Sequence, residues 1–96
     1  MSLYYVNHQH SVENCPARDP EKGNMLLRHL SPLNAMKFGV KIVSDAVLDG
    51  LHTFVLILEA EDERTIRAFM QPFEMAGTVH IHPASHCETV VERAGC

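Results

Sequence analysis

The sequence has few of the features that mark special classes of protein. Its 96 residues include no tryptophan and only five glycines and five prolines, far fewer than collagen-like or low-complexity chains contain. The longest unbroken apolar run, Phe54 to Leu58, is much shorter than the roughly 18 residues that span a bilayer. No basic start precedes an apolar signal-peptide core. We therefore expect a single domain over residues 1–96 that neither spans a membrane nor is secreted.

Basic residues are also scarce. Eight lysines and arginines stand against twelve acidic residues, which gives a formal net charge of −4 when histidine is neutral. Residues 1–48 carry five basic and four acidic side chains, whereas residues 49–96 carry three and eight. Because binding to phosphates requires a basic surface, neither half of the chain predicts a nucleic-acid partner.

The motifs of several common enzyme classes are missing. The sequence has no glycine-rich phosphate loop, no paired-carboxylate signature and no serine elbow. Its three cysteines, Cys15, Cys87 and Cys96, are an odd number in a chain without a signal sequence. This favours reduced thiols and a cytoplasmic location over a disulfide framework.

What is present is a regular alternation of strand and helix patterns. The β-favouring and alternating segments predict four strands, and capping residues with periodic apolar positions predict two helices. The turn pair Asp49-Gly50 joins the second and third strands in a hairpin. The residues after Pro83 form a tail, 84–96, which the pattern assigns neither to a strand nor to a helical turn. The predicted strands are 3–10, 40–48, 52–58 and 78–82, and the predicted helices begin after Asp19 and at Glu61.

The element order β-α-β-β-α-β predicts an α+β fold of the ferredoxin-like type, with a four-stranded antiparallel sheet and two helices on one face. Right-handed crossovers then arrange the strands as four, one, three, two. The third strand, however, is apolar on both faces at Phe54 to Leu58. A sheet covered on one side alternates apolar and polar residues, so we expect something to cover its second face.

The segment Met70-Gln71-Pro72-Phe73, followed by Val79-His80-Ile81-His82-Pro83, resembles the dimeric α/β-barrel superfamily, and in particular its small uncharacterised bacterial branch. The resemblance covers the architecture of nearly the whole chain. It implies a homodimer in which two sheets pack face to face. Members include cofactor-free monooxygenases, haem-degrading enzymes and ligand-sensing modules, so the resemblance does not imply one activity.

Seven histidines are the compositional oddity of this chain. His8 and His10 share a face of the first predicted strand, and His80 and His82 share a face of the fourth. Because these strands are predicted neighbours, we expect the two pairs to converge inside or at the mouth of the barrel. Imidazole is the commonest metal-binding side chain, so the pattern predicts a transition-metal site, with zinc first and copper, iron or nickel as alternatives.

Three further residues are candidate ligands because they follow strands one and four and are expected at the same end of the sheet: Cys15, His86 and Cys87. By contrast, we expect His29 and His52 to be surface or boundary residues. The alternative to a metal site is that the histidines are half-buried polar groups of a dimer interface and bind nothing.

The sequence leaves three functional classes open. A metal-dependent enzyme acting on a small molecule needs an ion with an open position beside a pocket, whereas a ligand- or metal-binding module needs only the site. A cofactor-free monooxygenase or isomerase in the barrel is the third. A cysteine nucleophile is disfavoured, because no acid or amide stands at a recognisable position to orient a neighbouring histidine.

Overall fold

The computed structural model describes all residues 1–96 and contains four strands and four α-helices. The strands are β1 (Ser2–His10), β2 (Lys41–Leu48), β3 (Thr53–Ala60) and β4 (Gly77–Ala84), and the helices are α1 (Pro20–His29), α2 (Pro32–Lys37), α3 (Glu63–Glu74) and α4 (Cys87–Glu92). A short 3₁₀ helix, Pro16–Arg18, lies between β1 and α1. None of the helices combines the length and the apolar character that crossing a bilayer requires.

The strands form one antiparallel sheet in the order β2-β3-β1-β4, which from the opposite edge is the predicted order four, one, three, two. Val6 of β1 lies opposite Leu56 of β3 and Ile81 of β4. Side chains of directly paired residues point to the same face of a sheet. Even-numbered residues of β1 and β3 therefore share one face with odd-numbered residues of β4.

The helices begin and end where the sequence carries capping signals. The Asp19 carboxylate accepts a 2.9 Å hydrogen bond from the Glu21 amide at the start of α1. The Asp62 carboxylate accepts a 2.9 Å bond from the Thr65 amide at the start of α3. After α2, Gly39 takes a φ of +79°, a conformation that glycine adopts without a Cβ clash.

The hydrophobic core lies between one face of the sheet and the helices. Helix α3 contributes one apolar face to this core: Ile66, Phe69 and Met70 are fully buried, and Phe73 packs against the core. The remaining buried apolar residues come from β1, β3, α2 and the segment before β2: Val6, Phe54, Leu56, Leu58, Ala60, Ala35 and Val40.

The opposite face of the sheet, the open face, has no helix packed on it in the single chain. Val55 and Ile57 of β3 point to this face and are half-buried, as is Tyr5 of β1. On the edge strand β4, His80 and His82 are exposed. Strand β3 is thus apolar on both faces, as predicted, and the tail that the sequence left unassigned forms helix α4.

Candidate metal centre

His10 ends strand β1 with an unusual lack of polar partners. Its backbone N–H donates a 3.0 Å hydrogen bond to the carbonyl of His52, which holds the two residues side by side. Both ring nitrogens, Nδ1 and Nε2, are buried and have no hydrogen-bond partner. A buried polar group without a partner lowers stability by about 1–3 kcal/mol. A ligand that bonds to one of these nitrogens would recover part of that cost.

His52 lies in the turn between β2 and β3 and has a backbone φ of +48°. This left-handed conformation is uncommon for any residue other than glycine, although histidine is one of the types enriched there. The His52 ring meets the His10 ring edge to face, with centroids 5.6 Å apart. Such conformations cluster at functional sites, where the surrounding structure enforces them.

Cys15 reaches the same place from the loop that follows β1. The Cys15 amide donates to the Val12 carbonyl at 3.3 Å, and the Arg18 amide donates to the Cys15 carbonyl at 3.3 Å. These bonds fold the chain back after the strand ends, so that a residue five positions beyond His10 returns to it. The Cys15 thiol is free and half-buried.

Together His10, Cys15 and His52 present one imidazole nitrogen, one sulfur and a second imidazole nitrogen that all lie within 4.8 Å of one another. Tetrahedral coordination with bonds of about 2.0–2.3 Å separates ligand atoms by about 3.3–3.6 Å. Side-chain rotations that move these atoms by roughly 1 Å therefore bring the three residues to coordination distance of a single ion.

The three side chains line a cleft of about 230 Å³ at the end of the sheet. Most of its other walls are apolar, from the 3₁₀ helix, α1 and the β2–β3 hairpin, and its polar members include the exposed Asp49. Three ligands leave one position of a tetrahedral ion unfilled by the protein, and these three side chains border the cleft.

His8 packs behind His10 on the same face. Its ring is 5.3 Å from that of His10 and in contact with Phe54 and Phe73, and its Nδ1–H donates a 3.1 Å bond to the Thr78 carbonyl. Burial lowers the pKa of His8, an effect that the bond to Thr78 opposes and the neighbouring His10 reinforces.

The electrostatics favour the neutral form of the His10 imidazole. Burial lowers the pKa of His10, and the neighbouring His52 lowers it further. Because only a neutral imidazole coordinates a metal, the lowered pKa extends the ligand-competent form to more acidic solution.

Comparison of the chain with protein-family models and with curated proteins finds no match.

The predicted convergence of two histidine pairs is wrong. His8 lies opposite Val79, and Asn7 lies opposite His80, so the register places the pairs on opposite faces of the sheet. His8 and His10 point to the helices, whereas His80 and His82 point to the open face. No single ion reaches both pairs through the sheet, because direct ligands lie within about 2.3 Å of the metal.

The environment of His80 and His82 differs from that of His10. Both side chains are exposed, and their cross-strand neighbours are Asn7 and Tyr5. The Asn7 amide nitrogen donates a 3.3 Å hydrogen bond to the Tyr5 hydroxyl, so these neighbours partner each other. The two histidines form part of a polar strip along one edge of the open face.

His86 and Cys87 also lie away from the site. They follow Ala84, the residue opposite Leu3, whereas the cleft lies where β4 begins opposite His10. The seven residue-to-residue steps from Gly77 to Ala84 span about 23 Å, since a strand rises about 3.3 Å per residue. The expectation that the loops after β1 and β4 reach the same end of the sheet is therefore wrong: Cys15 lies at the cleft, and His86 and Cys87 follow the opposite end of β4.

The two histidines expected at the surface or its boundary, His29 and His52, are both half-buried and make specific contacts. The His29 Nε2–H donates a 2.7 Å bond to the Phe69 carbonyl, and its ring stacks on Phe69, which joins α1 to α3. His52 belongs to the cleft. A signal for it existed in the sequence, because in an antiparallel pair the end of strand one meets the start of strand three.

Proposed function

We propose that this protein binds one transition-metal ion, zinc first among the candidates, through His10, Cys15 and His52. The observation that carries the proposal is the pair of buried, unpartnered nitrogens of His10 beside a thiol and a second imidazole. Coordination of a metal ion gives one of these two nitrogens a bonding partner. Two imidazoles and a thiolate suit zinc, copper or iron better than calcium or magnesium.

Three protein ligands beside a cleft favour a site with an exchangeable position over a closed structural site. The proposed function is accordingly that of a metal-binding module whose ion accepts a small molecule. A second candidate is a metal-dependent enzyme acting on that small molecule, which the cleft beside the ion favours. The three free cysteines fit a reducing compartment such as the cytoplasm.

For the whole molecule we propose a ferredoxin-like fold that pairs through its open face into a dimeric α/β barrel. Support comes from Val55, Ile57 and Tyr5, which give the open face an apolar centre. Contiguous apolar patches of this kind are uncommon on monomers. In sedimentation experiments we expect a dimer that Ile57→Lys converts to a monomer, and a monomeric native protein at micromolar concentration refutes the pairing.

The metal proposal is tested with untagged protein. We expect about one equivalent of zinc by elemental analysis after dialysis, and Co²⁺ substitution should produce the near-ultraviolet charge-transfer band of a thiolate ligand. The variants His10→Ala, Cys15→Ser and His52→Ala should each weaken binding by more than about 100-fold, because losing even an outer-shell partner costs 10–100-fold.

The matched controls are His80→Ala and His82→Ala, which remove imidazoles from the open face. Both should retain the native metal affinity. If the open-face variants lose the metal while the cleft variants keep it, the assignment of the ligands is wrong. Circular dichroism of each variant establishes that a loss of binding is not a loss of fold.

A further inference from the structure

We infer that the open position of the proposed metal site takes a small thiolate with an uncharged alkyl or aryl substituent. The inference rests on the proposed function, since it requires an ion at His10, Cys15 and His52. It names the class of molecule that the cleft admits, and it follows from the charge of the site, the chemistry of the walls and the volume available.

The charge of the first coordination sphere favours an anionic donor. A divalent ion with two neutral imidazoles and the Cys15 thiolate carries a net charge of +1. A neutral donor such as an alcohol leaves the coordination sphere with its charge of +1 beside walls that are mostly apolar, where a charge is unfavourable. A monoanionic donor makes the centre neutral.

The walls discriminate between anionic donors. Apolar side chains of Leu26, Val47 and Phe54 line the cleft, and the Thr53 hydroxyl already donates a 3.0 Å bond to the Leu51 carbonyl. A carboxylate bound through one oxygen places its second oxygen against mostly apolar walls, which is less favourable than its hydration in water. A thiolate coordinates through its single sulfur, makes only weak hydrogen bonds and suits a borderline-soft ion.

The volume and the charge of the rim limit the substituent. A cleft of about 230 Å³ is smaller than the roughly 300–1,000 Å³ of pockets for drug-sized molecules, so the ligand has few atoms. Asp49 lines the cleft and is exposed. Its carboxylate repels a second negative charge on the ligand, which disfavours thiols that carry an acidic group.

Binding is a ligand exchange without oxidation or reduction. The thiol loses its proton to solvent, the metal–sulfur bond forms, and the bond between the metal and its water breaks. The charge of the metal ion does not change.

The test uses the Co²⁺-substituted protein under anaerobic conditions, titrated with propanethiol and, in parallel, with propanol and acetate. The resting site has one thiolate and the complex has two, so propanethiol should roughly double the intensity of the sulfur-to-cobalt band. Propanol and acetate should leave that intensity unchanged. Gel filtration after each titration establishes that the cobalt remains on the protein.

A second arm measures the role of Asp49 with mercaptoacetate. In the Asp49→Asn protein, the affinity for mercaptoacetate relative to propanethiol should rise about threefold, as expected for charges several ångströms apart in water. The ratio between the two thiols corrects for their different intrinsic acidities. An unchanged ratio overturns the role given to Asp49.

The outcomes separate the two proposals. If cobalt binds with the charge-transfer band of Cys15 but propanethiol leaves the spectrum unchanged, the ligand class is wrong and the metal site stands. An equal response to acetate also refutes the thiolate assignment. If cobalt does not bind at all, the proposed metal site fails, and the inference drawn from it fails too.

Discussion

The left-handed backbone at His52 predicts that glycine is better tolerated there than alanine. A residue with a Cβ pays about 1–2 kcal/mol to adopt this conformation, and glycine does not. Glycine in turn loses about 0.5–1 kcal/mol more chain entropy than alanine on folding. Since both His52→Gly and His52→Ala remove the imidazole, the difference between them isolates the backbone. We expect the glycine variant to be more stable by about 0.5–1 kcal/mol.

Urea denaturation in the presence of EDTA measures this difference without any contribution from metal binding. For a domain of this size, thermal unfolding should show the same order, with midpoints separated by about 2–8 °C. Gly50 provides the matched control, because its φ is +79° and no atom lies within 4 Å of a Cβ added there. Gly50→Ala should therefore lose about 0.5–1 kcal/mol through the backbone alone.

The reasoning is refuted if His52→Ala is as stable as His52→Gly while Gly50→Ala is destabilised as expected. That result would mean that the turn at His52 relaxes out of the left-handed conformation once the imidazole is gone. Neither His52 variant should be stabilised by zinc, whereas a ligand at 100 times its Kd stabilises a native protein by about 2.7 kcal/mol.

Three further predictions concern stability. Gly77→Ala should cost more than Gly50→Ala in urea denaturation, about 1–3 kcal/mol, because a Cβ at residue 77 overlaps the Gln9 carbonyl oxygen. The pKa of His8 is lowered by burial, so its contribution to stability is complete above the unfolded pKa of about 6.5 and declines as the pH falls below it. In EDTA, His8→Leu should therefore lose less stability than the native protein between pH 7 and pH 5, and equal losses contradict this. Hydrogen bonds from Thr65 lower the pKa of the Asp62 carboxyl, so the stability difference between the native protein and Asp62→Ala should shrink as the pH falls from 5 to 3.

The strand order was predictable because each step rests on a local signal. Asp19 marks the start of the first long helix, the acidic run from Glu61 marks that of the second, and Asp49-Gly50 marks the hairpin. These signals act over a few residues, and the preference for right-handed crossovers then leaves one arrangement of four strands.

The sequence also indicated which residues of β1 share a face, but the face that carries His8 and His10 was assigned to the wrong side of the sheet. Val6 shares its face with His8 and His10, and this valine is fully buried in the core. Because histidine is polar, His8 and His10 were instead expected on the face away from the helices. The burial of β1 as a whole determines which face points to the helices. The core accommodates His8 on that face because its ring packs against Phe54 and Phe73.

The association of Cys15 and His52 with His10 could be predicted only in part. The pairing of strands one and three places His52 beside His10, so that neighbour follows from topology. The position of Cys15 depends on how the loop after β1 folds back against the end of the sheet. Its path depends on tertiary packing, which no short pattern in the loop encodes.

The distance along the chain between the proposed ligands has a consequence for assembly. His10 and His52 are about forty residues apart in sequence, and they become neighbours only when β1 pairs with β3. An unfolded chain offers the pair His10 and Cys15, but not the third ligand at the same point. Tight capture of an ion at this centre therefore follows the formation of the central strand pair, so that metal uptake reports the pairing of β1 with β3.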